Sequence, residues 1–348
     1  MAFSKHIISN EETLKTALIR LDELAYDAIL FTVNENGNLI GSVTDGDIRR
    51  GLVKGITIDQ PLSEVCFRNP RTLSINNIDI NILIELRESK IGIVPIIDSS
   101  HKIVDVLNFR LRKSLLPVDV VIMAGGKGMR LLPLTEKTPK PLLKIGDTPI
   151  LEHNLRRYEE YGVNSIHITT NYLAEKIDEF IHSISDSFRT KIRTVKEPEF
   201  LGTVGSVRLV DKMTQDYILI SNSDLLTNLD YEAFFLDFIR HEADMSVVSI
   251  PYRIKIPYAI MDIKENYIES FQEKPKYTYF SNGGIYLIKK ELIEKIPENE
   301  PFSATDLMQL MLTEKRKIRT FAHKGYWLDI GQHEDYSKAQ EDFKRNQF

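Results

Sequence analysis

The chain has 348 residues, 42% hydrophobic and 27% charged, with a formal net charge of −5 and one cysteine. That length predicts two or three domains with ample core material, and the acidic balance excludes a broad basic face for nucleic acid. Cys66 alone cannot form an internal disulfide or a thiolate metal site, and it reads as a small buried hydrophobe in a reducing, cytoplasmic setting. The opening stretch MAFSKHIISNEE lacks the apolar core of a signal peptide, and no apolar run approaches the ~20 residues that span a bilayer. No membrane partner is expected.

In chain order, Leu14, Leu18 and Leu21 fall on one helical face. ILFTV and LIGSVT read as strands joined by the turn ENGN, and DGDIRRGL opens a helix. The order then recurs as INILIELRESK, IGIVPII, DSSHK, IVDVL and NFRLRKSL, with PLSEVCFRNPRTLS between the copies. An internal repeat defines a building unit. Through GSVTDGDIRR and VCFRNPRTL, the first third resembles a tandem CBS-domain pair, with domains over 1–60 and 61–116. The resemblance implies an adenine or guanine nucleotide between the sheets, with Thr44 and Asp47 at the phosphate and ribose positions. Leu107 and Arg110 stand at those positions in the second copy, so at most one site keeps the pattern. A module that only dimerises is the other reading.

From Val118 the pattern changes. VDVVIM is a buried-type strand followed by a glycine loop. A helix follows, with Thr148 as cap, Pro149 in its first turn, Leu151, Leu155 and Tyr158 on one face, and Gly162 at its end. SIHITT, YILISNSD and MSVVSIPY read as strands, and AEKIDEFIHSI and YEAFFLDFIRHEA as helices. YAIMDI and YIESFQ flank KEN as an antiparallel excursion. The alternation predicts an α/β domain over 117–348, with a mixed, mostly parallel Rossmann-like sheet covered on both faces.

The stretch AGGKGMRLLPLTEKTPKPLL holds three glycines, three prolines and four cations. It is no Walker A loop, because Met129 and Arg130 follow Gly128 where Lys-Ser/Thr is required. It is no dinucleotide fingerprint either, because Leu131 replaces the third glycine. Its chemistry is still that of a phosphate cradle. The backbone of Ala124, Gly125, Gly126 and Gly128 can approach phosphate oxygens, Arg130 offers a guanidinium fork, and prolines 139 and 141 aim Lys140.

The stretch resembles the GGxGxRLxPLTxxxPKP signature of sugar-1-phosphate nucleotidyltransferases, with Met129 in place of the usual Thr. That family joins a nucleoside triphosphate to a sugar 1-phosphate, giving an NDP-sugar and pyrophosphate. The resemblance runs from Val118 to Phe348 and implies roles for later residues. In EPEFLGTVGSV, Glu197 would meet the edge of the base, and Gly202 and Thr203 would lie against it. Asp224, ending SNSD, and Asp329, in WLDIG, would hold Mg²⁺, a hard cation suited to carboxylates and water. In FQEKP, Glu273 would hold sugar hydroxyls and Lys274 the sugar phosphate. Asn282 and Gly284 in SNGGIY match the sugar-pocket turn, and Ala259 replaces a glycine many relatives carry. His333, after the DIGQ turn, reads as a helix cap.

The resemblance implies a reaction without a general base. Lys274 would hold the attacking phosphate, and Arg130 and Lys140 the departing pyrophosphate. PLT, PKP and LGT are most similar to guanylyltransferases of mannose 1-phosphate. A CBS pair ahead of such a domain resembles the guanylyltransferases that activate glucosamine 1-phosphate for legionaminic-type acids. GTP with glucosamine 1-phosphate is therefore the expected pair, in a homo-oligomer. Transfer from another NTP, or a nucleotide sensor with an inactive transferase domain, are the competing readings.

Overall fold

The computed structural model describes residues 3–76 and 78–345. The chain divides between Leu115 and Leu116 into two compact units.

In the first unit, β1 (Ile7–Ser9), α1 (Leu14–Leu24), β2 (Leu30–Val33), β3 (Leu39–Val43) and α2 (Asp45–Val53) form one half. β4 (Leu73–Ser74), α3 (Ile80–Glu88), β5 (Ile93–Ile97) and β6 (Ile103–Asn108) form the other. The doubling read from the sequence becomes two three-stranded sheets of the same plan, a parallel pair followed by an antiparallel one. Each half has its own core: Leu14, Leu21, Leu30 and Ile48 in one, Leu73, Leu83, Val94 and Leu107 in the other. The copies differ at their ends. The helix expected over NFRLRKSL does not form. Arg110 N–H instead donates to the Asn108 side chain at 3.0 Å, and its guanidinium reaches back to Asp27, with Nη2 to Oδ2 at 2.9 Å. That long-range ion pair holds the segment in a turn.

The second unit opens with β7 (Val118–Ala124), a short hairpin of β8 (Lys144–Ile145) and β9 (Thr148–Pro149), then α4 (Ile150–Glu160). β10 (Ser165–Thr170), α5 (Ala174–Ile184), β11 (Lys191–Lys196), β12 (Tyr217–Asn222), β13 (Leu225–Thr227) and α6 (Tyr231–Arg240) follow. The rest is β14 (Met245–Lys255), β15 (Ile260–Lys264), β16 (Tyr267–Gln272), β17 (Lys276–Lys289), α7 (Ala304–Thr313), β18 (Ile318–Ala322), β19 (Trp327–Asp329) and α8 (His333–Lys344). Seven strands make one sheet in the order β11-β10-β7-β12-β17-β14-β18, antiparallel only where β17 pairs with β12 and β14. Val120, Val121 and Ile122 of β7 are fully buried, as expected of a strand with helices on both faces.

Two helix starts differ from expectation. Pro149 is itself the N-cap of α4, and no side chain caps that helix; Thr148 is spent in the β8–β9 hairpin. His333 is the first residue of α8, not its cap. Gln332 and Asp335 form the capping box, and the imidazole Nε2 lies 2.8 Å from the Leu132 carbonyl.

Candidate active site

Three parallel strands deliver the site. β10, β7 and β12 are neighbours in register, with Thr170 opposite Ala124 and Asn222 opposite Met123. Their C-terminal ends therefore release the glycine loop beside Ser223 and Asp224, at the edge where open α/β sheets hold ligands. Glu197 arrives from the other side, because its N–H donates to the Thr170 carbonyl at 2.8 Å. Together these segments enclose a cavity of about 290 Å³. Its lining includes Ala124, Gly125, Gly126, Gly128, Arg130, Lys140, Glu197, Gly202, Thr203 and Asp224. A larger cleft of about 670 Å³ near Tyr217 has mixed charge. Its cations are engaged: Arg208 with Glu298 at 3.0 Å, Lys289 with Asp244 at 2.7 Å, and Lys290 with the Met213 carbonyl at 2.7 Å.

Inside the smaller cavity, Lys140 pairs with Asp224, and its Nζ lies 3.9 Å from Asp329 Oδ1. The β13–β19 pairing sets Asp329 opposite Leu225, which brings the second carboxylate beside the first. Asp224 Oδ1 and Asp329 Oδ1 are both buried without a hydrogen-bond partner. Burial, then the neighbouring Asp224 charge, pushes Asp329 up to about 6, against the pull of Lys140 and Arg130. Two orphaned acceptors facing one cation suit a hard divalent ion that keeps several waters. Among the described residues there is no group of three or more metal-ligating side chains, so such an ion would draw further oxygens from water or substrate.

Glu197 is 2% exposed, and burial raises its carboxyl above the usual range. Its Oε2 accepts the Leu201 N–H at 3.1 Å. The other oxygen lies over Gly125, where an added Cβ would come within 2.4 Å. An alanine at 125 would force the buried carboxylate to shift. Gly202 has a different reason. Its φ is +78°, and a Cβ would sit 2.8 Å from the Phe302 carbonyl, so neighbouring backbone excludes a side chain there. Thr203 Oγ1 is also occupied, accepting the Ala304 N–H at the start of α7 at 2.8 Å.

The sugar-side residues divide. Asn282 accepts the Gly284 N–H at 2.9 Å, and a Cβ on Gly284 would meet Asn222 Nδ2 at 2.7 Å, so this turn adjoins the cavity wall. Ala259, Glu273 and Lys274 do not line the cavity. They are exposed on the β15–β16 excursion, where Lys274 Nζ lies 3.6 Å from Glu273. Phe200, whose ring is 53% exposed over the cavity, escaped the sequence reading. An aromatic residue in the otherwise polar turn EPEFLG was its only signal. In the first unit, Thr44 and Asp47 meet in a capping box on α2. Asp47 takes the Thr44 N–H at 2.9 Å and Arg50 Nη2 at 2.5 Å, so both its oxygens are engaged.

The nucleotidyl transferase family matches residues 119–346 and the CBS domain family residues 6–54. The chain is 30% identical over 225 residues to a mannose-1-phosphate guanyltransferase of Saccharomyces cerevisiae, covering 62% of each chain. It is 30% identical over 229 residues to the bifunctional protein GlmU of Methanocaldococcus jannaschii, covering 64% of this chain and 53% of that one. It thus spans about 62% of the length of the mannose-1-phosphate guanylyltransferases it matches. Among solved structures, HddC from Yersinia pseudotuberculosis superposes with a TM-score of 0.51 at 28% identity, covering 65% of this chain and 99% of that one.

Proposed function

Because the chain belongs to the nucleotidyl transferase family, we propose that it joins GTP to a hexose 1-phosphate, glucosamine 1-phosphate first among them, releasing pyrophosphate. One observation carries the reading: a single cavity holds the glycine loop, Arg130, Lys140 and the Asp224 carboxylate, with a buried Glu197 at its edge. The cationic side suits a triphosphate. The acidic edge suits a base that donates, and guanine presents an N1–H and an exocyclic amine to one carboxylate. The mannose-1-phosphate guanyltransferase relative supports the same nucleotide.

The sugar phosphate is already anionic near neutral pH, so no base is needed. One of its oxygens forms a bond to the α-phosphorus, the α–β P–O bond breaks, and pyrophosphate leaves with that electron pair. Arg130 and Lys140 neutralise the charge that collects on the leaving group. Asp224 and Asp329 would hold a magnesium ion, whose charge would offset the repulsion between the anionic reactants. Lys140, which lines the cavity beside Asp224, would turn its ammonium to the phosphate. Lys274 would hold the attacking phosphate once its turn is brought to the cavity.

Pyrophosphate release across a grid of NTPs and sugar 1-phosphates tests this reading. Turnover is expected in the GTP row, with glucosamine 1-phosphate above mannose 1-phosphate. Turnover confined to another row refutes the base assignment. A blank grid with nucleotide still bound refutes the reaction.

A further inference from the structure

Among the described residues, Phe200 is the only aromatic side chain in the wall of the smaller cavity. It is 53% exposed, while Leu201 beside it is 2% exposed. A phenylalanine left in water is a standing cost, and a ligand that covered the ring would offset it.

The backbone that carries this ring is tied down. The Leu201 N–H donates to Glu197 Oε2 at 3.1 Å, and the Leu201 carbonyl accepts the Phe302 N–H at 2.9 Å. The Phe302 carbonyl in turn accepts the Val204 N–H at 3.0 Å and the Gly205 N–H at 3.1 Å. Gly202 lies between them at a φ of +78°, packed against that same carbonyl. The turn after Phe200 is therefore fixed to one backbone segment ahead of α7, and it presents the ring in place.

The sheet order sets which end of the cavity the ring serves. β11 lies beyond β10 on one side of β7, and β12 lies on the other. Glu197 and Phe200 follow β11, whereas Asp224 follows β12. Lys140 gathers at the Asp224 end, and Arg130 acts on Asp329 there. Met129, the other large apolar side chain exposed in the wall, belongs to the glycine loop beside Arg130. A ligand that fills the cavity thus carries its anionic groups at one end and a flat group at the other. The carboxylate and the ring make different contacts with a flat group. A carboxylate meets a heterocycle at its edge, in the plane, and reads its donors. A phenyl ring meets it at its face and reads its area.

We propose that Phe200 is a specificity-determining residue of this site: its ring stacks on the face of the nucleobase whose edge Glu197 meets, and it favours purines, whose fused rings cover it, over pyrimidines. The inference rests on the nucleotide reading of the cavity and adds a second selection to it. Glu197 separates guanine from adenine by hydrogen bonding, and Phe200 separates both from uracil by stacked area.

Calorimetry on the full chain tests this without turnover, using GTP, ATP, UTP and, as a probe that has no base, inorganic tripolyphosphate. Base–aromatic stacking predicts that Phe200→Ala weakens GTP and ATP by about 5- to 150-fold each, and UTP by a smaller factor. Tripolyphosphate should stay within about twofold, because the cationic end is untouched. Phe200→Leu, apolar but without a flat face, should fall with the alanine variant, and Phe200→Tyr should keep the wild-type affinities. An unchanged GTP affinity in Phe200→Ala, or a fall in tripolyphosphate that matches the fall in GTP, overturns the stacking. A leucine variant that binds as tightly as wild type overturns it too. An equal fall in GTP and UTP overturns the preference for purines. A wild type that binds tripolyphosphate but no nucleotide overturns both this inference and the reading beneath it. Nucleotide binding that follows the ring in a chain that releases no pyrophosphate retires the transfer reading alone and leaves the stacking in place.

Discussion

Replacing Glu197 by Gln tests the group proposed to read the base. The two side chains have nearly the same shape, so Gly125 keeps its neighbour. The Leu201 N–H now donates to Oε2 at 3.1 Å, and a carboxamide oxygen can keep that bond. The amide NH2 must then take the position over Gly125, turning an acceptor into a donor where guanine would also donate. Hydrogen bonds to a charged group contribute ~1.5–3 kcal/mol each. Losing one and weakening another costs about 3–4 kcal/mol, or about 10²–10³ in kcat/KM for GTP. The assay is pyrophosphate release with GTP, ATP, UTP, CTP and dTTP under conditions linear in enzyme. The variant should fall only in the GTP column. An unchanged GTP column would refute the guanine reading of Glu197. An equal fall in every column would mean that the carboxylate only supports the Glu197–Leu201 turn.

Three other outcomes follow from the same geometry. Asp224→Asn removes one of the two orphaned carboxylates and the partner of Lys140, so kcat should fall about 10³-fold in saturating Mg²⁺ while calorimetry still finds the sugar phosphate bound; near-normal turnover would contradict the metal assignment. Gly125→Ala drives a Cβ into the Glu197 carboxylate, and the forced rotamer and strained hydrogen bond should cost about 2 kcal/mol, weakening nucleotide binding about 30-fold by calorimetry. In the first unit, Arg110 holds Asp27 below its ordinary value near 3.8. That pair stabilises the fold above the unfolded-state pKa, and the stabilisation is lost as pH falls through the folded one. Asp27→Asn should therefore lower the unfolding midpoint at pH 7, and the gap to wild type should close in acid.

The glycine loop at the end of β7 was legible because its chemistry is local. Glycines, prolines and cations within one stretch already say what can approach the backbone, whatever the fold around them. The strands were legible for a similar reason, since the buried run VDVVIM and the alternating segments of β15 and β16 carry different periodicities. The expected helix over NFRLRKSL failed because Arg110 finds Asp27, a partner 83 residues away that no local pattern predicts. Why residue 202 must be glycine was not legible, because the backbone that excludes a side chain there belongs to Phe302, distant in sequence.

The same distinction separates the two carboxylates from the residues expected on the sugar side. Asp224 and Asp329 are brought together by β13 and β19, whose pairing is fixed within one chain. Each carboxylate is a commonplace turn residue alone, and becomes a candidate cation site only where burial and the other's charge act on both. Glu273 and Lys274 have no such frame, because the strands that lead to them leave their apolar faces uncovered. An alternating sequence specifies that one face of a strand is buried, but not what buries it. In β7 and β12 the answer lies in the same chain. In the β15–β16 hairpin Met261, Ile263, Ile268 and Phe271 stay at least half exposed, so the turn that carries Glu273 and Lys274 has no packed frame like the one that sets Asp329 beside Asp224.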